Sequence, residues 1–177
     1  MLHTTLIELF NQQFEASEKT LLIGGAVEPL YQPAQHREQY HRIYFSHDYA
    51  SSALHEVAHW TLAGPERRSK VDYGYWYAPD GRSSEQQHLF EQVEIKPQAI
   101  EWIFSLAAGL KFRVSADNLD AQLGASQAFK TSIWQQACDY LEQGNLPPRA
   151  ALFVSALLGS HMGTTRLNSN LLDPESI

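Results

Sequence analysis

The sequence predicts an α+β fold in which a small β-sheet packs against several helices. Two short β-branched or aromatic runs bounded by turn residues fall within the first fifty residues, whereas the later segments carry apolar residues at helical spacing. With 177 residues, 44% of them hydrophobic and 19% charged, the chain can bury one core, so residues 1–177 are expected to form a single domain.

The elements follow in order. Leu2, Leu6, Ile7, Leu9, Phe10 and Phe14 lie on one helical face, and Glu15-Ala16-Ser17-Glu18-Lys19 dissolves the pattern, which predicts an N-terminal amphipathic helix. Thr20-Leu21-Leu22-Ile23 before Gly24-Gly25, and Arg42-Ile43-Tyr44-Phe45 before Ser46, read as strands. Between them Pro29, Pro33 and the polar Gln35 to Gln39 stretch suggest a surface loop. A helix begins near Tyr49, with Asp48 as its expected N-cap, and Gly64-Pro65 stops it. Val71 to Tyr77 has the composition of a strand or an extended aromatic loop, and Pro79-Asp80-Gly81 turns the chain. From Ser84 to Ala108 a long helical pattern runs through Leu89, Phe90, Val93, Ile100, Ile103, Phe104 and Ala107. Pro97 predicts a kink or a junction there, and Gly109 a stop. Phe112-Arg113-Val114 is a strand candidate. Gln127 to Gln143 before Gly144 and Pro148 to Leu158 before Gly159 predict two more helices, and the tail from Thr164 is expected to fray.

Several functional classes are disfavoured by composition. No apolar run approaches a membrane span, and Met1 to Glu8 lacks the basic start and apolar block of a signal peptide, so a cytoplasmic protein without membrane contact is expected. A net charge of −7 offers nucleic-acid phosphates no attraction and would better suit a cationic partner. The only cysteine, Cys138, cannot form an internal disulfide and reads as a small apolar residue of a helix.

The chemistry is concentrated in His55-Glu56-Val57-Ala58-His59. A four-residue step returns to nearly the same helix face one turn on, so both imidazoles can converge on one metal ion while Glu56 lies beside them. A third protein ligand is needed, and Glu85, Glu91, Glu94 and Glu101 are available downstream. Glu91, Glu94, Gln98 and Glu101 share one face, a pattern that usually marks the solvent side of an amphipathic helix. Val93, Ile100 and Phe104 form the adjacent apolar face. Glu94, between Val93 and Ile95 and just before Pro97, is the best ligand candidate. The extended H-E-x-x-H-x-x-G-x-x-H protease pattern fails at Leu62 and Pro65. Two readings stay open on spacing: a zinc peptidase with Glu56 as catalytic general base, and the two-histidine, one-carboxylate triad of Fe(II) oxygenases.

The segments Tyr49 to Trp60, Val71 to Tyr77, Pro79-Asp80-Gly81-Arg82 and Phe90 to Ala99 together resemble the elongation factor P hydroxylase family. The similarity runs from the N-terminal helix to about Asn118-Leu119 and weakens beyond. The resemblance implies a hydroxylase dependent on a metal, iron in the first instance, acting on the β-lysylated lysine of elongation factor P with a reductant of unspecified identity. It places the metal ligands on His55, His59 and Glu94, between two helices in a metallopeptidase-like arrangement. Under that reading Glu56 need not be a general base. Tyr73, Tyr75, Trp76 and Tyr77 are candidates either for core packing or for walling a cationic side chain, and Asp72 and Asp80 for an ammonium contact or a turn. Trp60 reads as core, and His47 as a loop residue or a partner of a ligand.

Overall fold

The computed structural model describes residues 1–71, 83–115 and 125–177. Helix α1 (Leu2–Glu18) leads into strands β1 (Thr20–Ala26), β2 (Leu30–Gln32) and β3 (His41–Ser46). Helices α2 (Ala50–Leu62), α3 (Ser84–Ala108), α4 (Gln127–Gln143) and α5 (Pro148–Gly159) follow. This is the expected α+β architecture.

The sheet has the order β1-β3-β2, with β3 parallel to β1 and antiparallel to β2. Thr20 and Leu22 of β1 and Ile43 and Phe45 of β3 alternate inward, giving the sheet one buried face against α1 and α2. The segment expected to be only a loop contains β2, where Leu30 opposes Tyr44 and Gln32 opposes Arg42. Three residues next to Pro29 carry too little alternation to announce a strand; β3 supplies the pairing. Across Gly24 and Gly25 the β1–β3 register shifts, and Gly25 adopts φ 78°, a conformation that glycine takes without cost.

Helix α2 begins one residue after Tyr49, which has no side-chain cap bond, so Asp48 is not the N-cap. The turn is held instead by Tyr49 N–H donating to Ser46 O and Ser46 N–H donating to Ser52 Oγ. The carbonyls of Trp60, Thr61 and Ala63 at the other end accept from the Arg149 guanidinium of α5, which also lies 4.7 Å from the centre of the Trp60 ring. Trp60 is 3% exposed, as its expected core role requires, and packs with Phe10, Phe14 and Phe153, where α1, α2 and α5 meet.

Helix α3 is the centre of the molecule, contacting α2, α4 and α5. Ser83 and Gln86 form a capping box at its start, and Gly109 closes it at φ 71°. It is one helix and not two: Pro97 lies buried within it. A proline deletes one backbone donor, and a helix buried this deeply has the packing to offset that loss. The apolar face is not the predicted one throughout, since Val93 is 51% exposed while Gln98, Glu101 and Ser105 are buried.

Phe112 is buried, but the Phe112 to Val114 segment forms no strand. Gln98 holds it instead, donating to Ser115 O and accepting from Ser115 N–H. Nor does the tail fray. Leu172 is buried, Trp134 Nε1 donates to its carbonyl, and Lys130 Nζ donates to the carbonyl of Ile177. Cys138 sits half-buried on α4 against the core, and burial raises its thiol pKa, in keeping with an inert apolar role. Among the described residues no helix is long and apolar enough to cross a membrane.

Candidate metal centre

The four-residue step in α2 brings the His55 and His59 rings to 4.7 Å between centres, with their Nε2 atoms 3.1 Å apart. Across from them α3 presents Glu94, 3% exposed, whose Oε1 lies 3.1 Å from His59 Nε2 and Oε2 3.8 Å from His55 Nε2. Two ligands about 2.1 Å from one ion and subtending 90–110° sit about 3.0–3.4 Å apart, so this spacing suits a first-row divalent ion. Among the described residues these three side chains form the cluster able to hold a metal ion. Three protein donors leave further coordination positions for water or substrate, as catalytic rather than structural metal sites do.

The ligands are themselves held. His55 Nδ1 lies 2.8 Å from Glu101 Oε2, and because a carboxylate can only accept, Nδ1 carries the proton and Nε2 is left with its lone pair toward the ion. Gln98 Nε2 lies 3.3 Å from Glu94 Oε2 and orients it. Glu94, Gln98 and Glu101 recur every three or four residues, so one face of α3 supplies a ligand and two orienting groups. That face was expected to meet solvent, and it is buried because it meets the histidines. The two orienting roles were not foreseen; the recurrence at three and four residues was the visible signal, and burial was the missing one.

The charges are coupled. For His55, burial alone lowers the pKa, but the Glu101 hydrogen bond and the Glu101, Glu94 and Glu56 charges prevail and raise it to about 10. Burial pushes Glu94 upward, yet the His59 charge and hydrogen bond, with His55 and Gln98, bring it down to about 2. Glu56 is raised, chiefly by burial, with Glu94 and Glu101 adding to the effect and His55 and His59 opposing it.

Two cavities adjoin the centre. One, of about 380 Å³, is polar, and its lining includes Ser46, Ser52, His55, Glu56, Glu94 and Glu101. The other, of about 500 Å³, meets the centre at His59 and Glu94 and is walled mainly by Leu62, Phe90, Val93 and Pro97.

The remaining candidates lie elsewhere. Glu91 accepts from Ser126 Oγ and N–H at the start of α4, and Glu85 is exposed in the first turn of α3. His47 is an exposed turn residue at φ 51° against Tyr49. Asp72, Tyr73, Tyr75, Trp76, Tyr77 and Asp80 lie outside the described residues.

Comparison with known proteins shows that the family model for elongation factor P hydroxylase matches residues 9–171. A Haemophilus influenzae protein named elongation factor P lysine hydroxylase is 48% identical over 163 residues, which cover 92% of this chain and 91% of that protein. The likeness therefore continues well past Asn118-Leu119, where sequence reading found it to weaken.

Proposed function

This chain belongs to the elongation factor P hydroxylase family, and we propose that it hydroxylates the β-lysylated lysine of elongation factor P at an Fe(II) centre held by His55, His59 and Glu94. The observation that carries the reading is the convergence of two Nε2 atoms and one carboxylate, 3.1–3.8 Å apart, beside a polar cavity of about 380 Å³. Iron held there supplies dioxygen activation; one oxygen atom enters a C–H bond and the other leaves as water, with two electrons from an external reductant. The protein's own part is positional. Glu101 keeps the His55 proton on Nδ1, Gln98 aims Glu94, and the buried face of α3 fixes both against α2. Glu56 takes no ligand position and stands at the cavity wall, where it can touch substrate.

The same His-Glu pattern would serve a zinc peptidase, but the matched family and relative are named as hydroxylases, and that reading is not favoured. Intact-mass measurement of elongation factor P co-expressed with this chain tests the proposal. The β-lysylated species should gain one oxygen atom with the wild type and none with His55→Ala. An unshifted mass with wild-type, iron-loaded protein would refute it.

A further inference from the structure

Three carboxylates face the polar cavity, and two are committed: Glu94 to the histidine Nε2 atoms and Gln98, Glu101 to His55 Nδ1. Glu56 is different. Among the described residues no hydrogen bond or ion pair reaches its partly buried side chain. A carboxylate withdrawn from water without a positive or donating partner is costly, and sites keep such groups where a ligand completes them. We infer that Glu56 is the docking point for an ammonium group of the substrate's lysine side chain, an inference that rests on the hydroxylase reading.

Three further observations support this role. A divalent ion together with ionised Glu94, Glu101 and Glu56 and two neutral imidazoles sums to one negative charge, which one ammonium neutralises. Ser52 precedes Glu56 by four residues on α2 and lines the same wall, so an ammonium between them meets a carboxylate and a hydroxyl oxygen. The second cavity suits a cation poorly, since its walls are largely apolar and its charged groups beyond Glu94 are Arg67 and Lys96. Lys111 and Arg113 also line the polar cavity, but both are exposed, and solvent screens their repulsion.

The test uses zinc-loaded protein, so that binding is read without turnover. Calorimetry would compare β-lysylated elongation factor P with elongation factor P in which that lysine is replaced by methionine. The wild type should prefer the β-lysylated form by about 30-fold, as expected for a desolvated charge contact. In Glu56→Gln the preference should fall to about threefold while affinity for the methionine form stays unchanged. Glu56→Asp should recover part of it, and Ser52→Ala should lose about twofold to threefold. One bound zinc per chain confirms that each variant is folded. A preference undiminished in Glu56→Gln overturns the inference. So does a Glu56→Gln enzyme that keeps the preference but loses turnover when iron-loaded, because Glu56 would then act on the reaction itself. Failure of iron-loaded wild type to add oxygen is a separate result, which overturns the hydroxylase reading and this inference with it.

Discussion

His55 is engaged through both ring nitrogens, and this governs how the centre responds to pH. In the metal-free protein its pKa is raised from 6.5 to about 10, so the stability it contributes is complete below about pH 6.5 and is lost as pH rises through 10. Glu94 has the opposite sign: its pKa is lowered from 4.5 to about 2, and its contribution is present above 4.5 and disappears as pH falls toward 2. Metal-free wild type should therefore lose melting temperature steadily from pH 6.5 to 10, and His55→Ala should show a much flatter profile over that range. A wild-type profile as flat as that of the variant would contradict the Glu101–His55 contact. The histidine pair was legible from spacing alone, because i and i+4 positions share a helix face wherever the helix sits. The Glu101 contact was not, since it depends on how far α3 slides along α2.

The centre exists because α2 and α3 dock with their polar faces together. The periodicities that predicted these helices also placed Glu94, Gln98 and Glu101 on one face, but amphipathic logic assigned that face to solvent. Packing reversed the assignment, and the exposure of Val93 is the other side of the same reversal. Metal affinity by titration calorimetry should reflect this geometry. His55→Ala, His59→Ala and Glu94→Ala should each lose at least about 100-fold, Glu101→Ala about tenfold through loss of ring orientation, and Glu91→Ala should match wild type. Equal affinities for Glu101→Ala and Glu91→Ala would show that α3 does not orient His55. Other departures have the same origin: β2 is too short to show alternation, and the tail is held by Trp134 and Lys130, partners far away in sequence.

Over the whole molecule, a small sheet and α1 brace α2 from one side, and α3, with α4 and α5 against it, closes from the other. The fold class was legible because helix and strand periods segregate along this chain. The chemistry was legible to the point of a metal bound by His55, His59 and a carboxylate; spacing alone does not separate oxygen activation from peptide hydrolysis. That distinction is the central claim, and oxygen dependence tests it most directly. Purified protein would be incubated with Fe(II), a reductant and β-lysylated elongation factor P, in air and under strict anaerobiosis, and the intact substrate mass measured. The account predicts a gain of one oxygen atom in air and no change without it. Cleavage of the substrate that proceeds equally without oxygen, or an unmodified lysine after aerobic reaction with iron bound, would contradict it.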